Sequence, residues 1–214
     1  SMLLPLLIVC DIFTLKKFQK TWDPPSFKLI AGGTSLGLLI GLWLLILSAR
    51  TDINGERVIR IIIGIIAIFF CLLQLIKVII KKQSLEINIG ILPSFIIGII
   101  CGITTMVAHA AGIIVNIFFL TRKLDPAKFV GTSARYYLLF NSVKIPLYFL
   151  ATLISEKSYL SLDTIKWSCW LFPLCPIGVA LGAWLNHKLN ATIFTIIIYF
   201  SLFATALKLI SENF

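Results

Sequence analysis

The sequence predicts an all-α, polytopic transmembrane helical bundle with an internal repeat and a broken or re-entrant helix pair at about 89–120. Three observations predict it. Hydrophobic residues make up 59% of the 214 residues and charged residues 13%, with a mean hydropathy of +1.01. Soluble domains run nearer ~45–50% apolar and ~25% charged, so this chain has too little polar surface to cover a water-facing globule. The apolar residues fall in runs long enough to cross a hydrocarbon core, which takes roughly 20 residues as a helix. The basic residues sit mostly at the ends of those runs, as Lys16, Lys17 and Lys20 or Lys81 and Lys82 do. Disorder, collagen, a disulfide scaffold and an ordinary cytosolic enzyme are excluded.

The elements follow in order. Residues 2–15 form an apolar run, short for a crossing, that contains Asp11 and is followed by Lys16 and Lys17. Nothing basic precedes it and no small-residue cleavage site follows, which argues against a signal peptide. The chain is therefore expected to open inside a membrane segment. Crossing segments are expected at about 28–48, 58–80, 127–154, 163–185 and 191–210, with the long run 89–120 among them. As one helix that run would reach ~48 Å, well beyond a ~30 Å core. Its middle carries Gly102, Thr104, Thr105, His109 and Gly112, small and polar residues inside a Leu/Ile/Phe stretch. Two half-helices meeting at a broken centre fit better than one tilted rod, because broken backbone at depth is tolerated where it lines a cavity.

The charges favour the same reading. Nineteen Lys and Arg against nine Asp and Glu give a net charge of +10. Arg135, Lys144 and Lys208 aside, the basic residues near span ends divide 11 to 5 between the two sides if 89–120 is a hairpin, and 9 to 7 if it crosses once. The positive-inside rule favours the hairpin, with the 16–27 loop cytoplasmic. The same residues suit anionic lipid headgroups. No basic stripe with stacking aromatics is present, which argues against nucleic acid as a partner. Cys10, Cys71, Cys101, Cys169 and Cys175 all lie in apolar runs without a C-x-x-C pair, so they read as small buried hydrophobes.

Gly37-Leu-Leu-Ile-Gly41-Leu-Trp43-Leu44 matches Gly178-Val-Ala-Leu-Gly182-Ala-Trp184-Leu185 at both glycines, the tryptophan and the last leucine. Each copy is followed by a polar loop and one more apolar span. Residues 1–82 are read as the remainder of a first repeat, about three membrane helices with the first incomplete, and residues 83–214 as a second repeat of a broken helix pair plus three membrane helices. Small-x-x-x-small spacing alone is also a packing device. Duplicated halves with broken helices are a transporter signature.

Chemistry concentrates in the 127–154 helix. Asp125 can cap its start, with Pro126 at the first helical position. Ser133, Tyr137, Asn141, Lys144 and Tyr148 fall within an arc of about 80° on one face. Arg135 lies nearly opposite. A lysine at the centre of a membrane helix costs ~2.5–3.5 kcal/mol on insertion scales and usually marks a pathway or a paired site. The alternatives are a Lys144 that snorkels, or one paired with a carboxylate such as Asp11. His109, beside the Gly-rich break, is either a site residue or a buried histidine bonded to backbone. No H-E-x-x-H, Gly-x-Ser-x-Gly or P-loop occurs, so no enzyme and no cofactor are expected. His187 reads as solvated in a short loop, and Trp22, Trp167 and Trp170 as interface anchors.

At these residues the chain resembles the sulfite exporter TauE/SafE family of membrane permeases. Thr104-Thr105-Met-Val-Ala108-His109-Ala-Ala-Gly112 is similar to the family's Ser/Thr-rich Ala-His-Ala-Gly-Gly-Pro stretch. Phe129-Val-Gly131-Thr132-Ser133, then Asn141-x-x-Lys144-x-Pro146-x-Tyr148, is similar to the motif that follows it. Leu4-Pro5-Leu6-Leu7-Ile8-Val9-Cys10-Asp11 and Trp22-Asp23 resemble the corresponding stretch of the first half. The chain departs from the family at Ile113-Ile114, where a proline pair is common, at Ala111, a usual glycine, and at Arg135, a position more often apolar. The resemblance implies a bacterial plasma-membrane permease for sulfite, sulfonates or related organic anions, of which this chain is about the last three-quarters. Lys144 would supply charge to the anion. Asn141, Thr132, Ser133, Thr105, Tyr137 and His109 would supply donors, and Asp11 and Arg135 a coupling group or ion pair. The expected partners are a small anionic substrate and the lipid bilayer. An anion channel, a membrane-embedded enzyme and a structural subunit are the competing readings. Non-saturating flux marks the first, a catalytic pair facing one cavity the second, and indifference to loss of Lys144 the third.

Overall fold

A computed structural model of the chain describes residues 3–50, 90–108, 111–155, 168 and 170–211. In chain order their helices are α1 (Leu3–Lys17), α2 (Pro24–Arg50), α3 (Ile91–Ala108), α4 (Ala111–Thr121), α5 (Pro126–Ser155), α6 (Leu174–Lys188) and α7 (Ala191–Ser211), with no strand among the described residues. The expected span 58–80, with Cys71, lies outside the described residues, as do Trp167 and Cys169 at the start of 163–185. α2 and α5 are each long and apolar enough to cross a bilayer. Both open the same way. Asp23 accepts the Ser26 N–H on Oδ2 at 3.0 Å and caps α2, with Pro24 and Pro25 in first-turn positions that need no N–H. Pro126 opens α5 behind Asp125, whose carbonyl accepts the Phe129 N–H at 2.8 Å.

Among the described helices the closest pair is α2 with α3. A Cβ on Gly33 would strike the carbonyl oxygen of Phe95, and one on Gly37 that of Ile99. Reciprocally, a Cβ on Gly98 would strike the carbonyl of Ile30, and one on Gly102 that of Thr34. Four glycines thus let two backbones touch, the contact that substitutes for hydrophobic driving force in lipid. The contacts advance together along both helices, so α2 and α3 run parallel.

The direction of α3 decides how the 89–120 run is built. Phe95 starts beside Gly33, and at the far end Arg122 Nε donates to Ser26 Oγ at 3.2 Å. The run therefore begins and ends beside the first turns of α2. On the way back α4 lies along α5, with Phe119 edge-on to Phe129 at 6.4 Å between ring centroids. The predicted broken pair is a hairpin of two helices that turns back between Ala108 and Ala111. At 11 residues α4 reaches only ~16 Å, about half a hydrocarbon core.

The α1–α2 loop is fastened to the start of α5. Arg135 stacks on the Trp22 ring at 4.7 Å. Its guanidinium donates to the carbonyls of Gly131 (3.0 Å), Phe18 (3.4 Å) and Gln19. Two of those carbonyls lie just past the end of α1, so a cation there also answers the helix dipole. The Asp23 N–H donates to Thr132 Oγ1 at 2.8 Å, and that hydroxyl donates on to the Lys128 carbonyl at 2.7 Å. Trp22 is thus held under a guanidinium, whereas Trp170 projects freely at 82% exposure. His187 falls in the last turn of α6 and not in a loop, because the helix runs on to Lys188.

Candidate functional site

α5 packs against α1 and α2, and its polar face reaches side chains and backbone of α1 and α3. Its other face, with Leu139, Val143, Phe149 and Leu153, is exposed as lipid-facing residues are. Lys144 is only 2% exposed, and its Nζ donates to Thr105 Oγ1 of α3 at 3.1 Å. One turn earlier Asn141 Nδ2 donates to Asp11 Oδ2 of α1 at 3.4 Å. Asp11 attracts the Lys144 charge at longer range, and no ion pair joins them. An ammonium has three donors, so among the described residues Lys144 keeps two beyond its bond to Thr105. The neighbouring turn is held by Tyr148, whose hydroxyl donates to the Met106 carbonyl at 2.8 Å.

This cluster sits at mid-depth. Asn141 is the sixteenth of the 30 residues of α5. The hairpin turn falls at the same level, because Thr105 before it meets Lys144 and Gly112 after it meets Tyr137. The Tyr137 hydroxyl lies 3.0 Å from Asn116 Oδ1 and 3.3 Å from the Gly112 carbonyl, tying α4 to α5 just past the turn. The facing ends of two helices, a buried cation, an amide and hydroxyls therefore meet near the middle of α5, at the depth where transporter sites lie.

Of the residues singled out from sequence, the structure gathers Asp11, Asn141, Lys144 and Thr105, with Tyr137 two turns away. It does not bring Thr132 or Ser133 to them. Eleven and twelve residues of helix place those two ~16–18 Å from Lys144 along α5. Thr132 is engaged in the loop clamp, and Ser133 Oγ is buried with no hydrogen-bond partner. Arg135 binds carbonyls and a ring at the loop end of α5. His109 lies outside the described residues. Sequence reading missed Asn116, although an amide four residues after Gly112 in an apolar run met the criterion that found Asn141. It also missed Tyr136, whose buried hydroxyl shares a 2.8 Å hydrogen bond with Thr34 Oγ1.

A helical membrane bundle with a turned-back helix pair and a charged centre is the build of a membrane transporter. The chain belongs to the sulfite exporter TauE/SafE family, whose profile matches residues 2–209. Membership makes it an integral membrane permease and sets the coarse function, transport of sulfur-containing anions. No match to a curated protein or to a solved structure accompanies this one.

Proposed function

We propose that the protein is a secondary transporter that moves sulfite, sulfonates or related small organic anions across a bacterial plasma membrane by alternating access. The observation that carries this reading is Lys144, buried at mid-depth with donors unused. A cation held out of water, with no ion pair among the described residues, favours an anionic visitor, because binding relieves the lysine's own lack of solvation. Thr105 and Asn141 supply neutral donors beside it, and the start of α4 supplies backbone N–H groups from a half-length helix. Tyr137 and Ser133 continue the polar face toward the loop end of α5 and line the entry path, and His109 is a further donor to the anion. Thr132 and Arg135 act on the site only through the α1–α2 loop they hold. Asp11 serves as the internal counter-charge that an arriving anion competes with.

Flux into proteoliposomes tests the reading, with labelled sulfite, sulfonates and unrelated carboxylates as competitors. Saturable flux of sulfur anions is expected. Lys144→Ala is expected to weaken it about 30-fold or more, the loss of one partner of a buried charge-assisted contact. Flux that never saturates would instead make the protein a channel, and flux untouched by Lys144→Ala would remove the site from α5.

A further inference from the structure

Two helix ends of opposite sign stand side by side at the turn of the hairpin. α3 ends at Ala108, so the carbonyls of Thr105 to Ala108 have no partner within that helix and point past its end. α4 starts at Ala111, so the N–H groups of Ala111 to Ile114 face the same turn. The first end carries the negative pole of a helix dipole and the second the positive pole, each about half a charge. Such a pair suits a cation as well as an anion. Transporters with broken helices hold both kinds of ion in this way.

Side chains of α5 change that balance. Lys144 and Tyr148, one turn apart, take up consecutive residues of α3. Lys144 Nζ donates to the Thr105 hydroxyl at 3.1 Å, and the Tyr148 hydroxyl donates to the main-chain carbonyl of Met106 at 2.8 Å. Tyr148 is 2% exposed, so this bond is made out of reach of bulk water. A hydroxyl proton on the Met106 oxygen offsets part of the negative pole of α3. It does nothing to the positive pole of α4. In a site of low dielectric a partial charge of this kind acts far more strongly than in water.

We propose that Tyr148 sets the charge preference of the site. By occupying the Met106 carbonyl it withdraws the negative end of α3 from the turn, and Lys144 and the start of α4 are left to face an anion. Tyr148 is a positioning residue, since it touches the carbonyl and not the anion. The inference rests on the transport reading and names the group that tunes that site to negative charge.

Labelled sulfite flux into proteoliposomes is compared for the native chain, Tyr148→Phe and Tyr136→Phe at one fixed pH. Methanesulfonate and sulfate serve as competitors, tetrahedral anions of similar size with one and two negative charges. Tyr148→Phe is expected to raise the KM for sulfite several-fold while kcat changes less than about twofold. Its inhibition constants are expected to rise about threefold for methanesulfonate and about tenfold for sulfate. The factor squares because a fixed dipole acts on each charge. Tyr136→Phe removes another buried hydroxyl bond of 2.8 Å, the one to Thr34, ~12 Å from Lys144 along α5. It is expected to lower thermal stability as much as Tyr148→Phe does and to leave KM and both inhibition constants unchanged. Equal factors for the two competitors would overturn the proposal, as would equal KM effects of the two variants. So would a Tyr148→Phe protein that loses stability alone. Native flux that depends on Lys144 and ignores Tyr148→Phe removes this inference only, whereas a native chain without saturable flux of sulfur anions removes the transport reading with it.

Discussion

Residues in this protein divide into those that hold the bundle and those with bonding capacity left over. Arg135 belongs to the first group. Its fork reaches three carbonyls while its plane rests on Trp22, a combination a lysine cannot reproduce. Arg135→Lys is expected to lower thermal stability in detergent by about 1–3 kcal/mol while leaving the KM for the anion unchanged. A changed KM with unchanged stability would place Arg135 in the transport path. Asp11 belongs to the second group, bonded by one amide and attracted by a lysine it does not touch. If it competes with the anion for Lys144, Asp11→Asn keeps the shape and removes the competition. The expected result is a several-fold lower KM, since an opposite charge nearby no longer competes with the anion for the lysine. A higher KM would mean that Asp11 organises the site instead of opposing its ligand.

Elements show why some of this was legible in the sequence and some was not. The segments α2, α5 and α7 were readable because apolar length fixes a membrane helix, and the break before α4 because polar and small residues interrupt a long apolar run. Asp11, Asn141 and Lys144 were readable for the complementary reason, since a charge or amide inside an apolar run is conspicuous. The destination of Arg135, the clamp on Thr132 and the Tyr136–Thr34 bond were not. Each depends on which backbone arrives from more than a hundred residues away, or on which of two faces a neighbour covers. The glycines make the same point, because identical spacing is covered in α2 and open in α6. Gly37→Ala and Gly102→Ala each force a methyl onto a carbonyl oxygen and are expected to cost about 2 kcal/mol or more, as overpacking does. Gly182→Ala, with open space in front of it, is expected to change thermal stability by less than about 0.5 kcal/mol. Equal losses at all three sites would show that the α2–α3 contact is not as close as described.

At the scale of the whole molecule, the turned-back pair governs which loops share a side of the membrane. Arg122 bonded to Ser26 and Arg135 bonded to Gln19 place the α4–α5 connection and the α1–α2 loop together. The parallel run of α2 and α3 then brings Gly90 to the same end. By the positive-inside rule the basic residues at that end, Lys16, Lys17, Lys20 and Lys123 among them, predict that it faces the cytoplasm. Single cysteines at Lys20, Gly90 and Lys123, in a background without the native cysteines, provide the check. A membrane-impermeant maleimide is expected to label all three from the cytoplasmic side of sealed vesicles and none from the opposite side. Were 91–121 a single crossing, Gly90 and Lys123 would label from opposite sides. The polar turn would then lie along a continuous rod instead of at the level of Lys144, and an anion site built from a buried lysine and a turned-back helix would lose half of its walls.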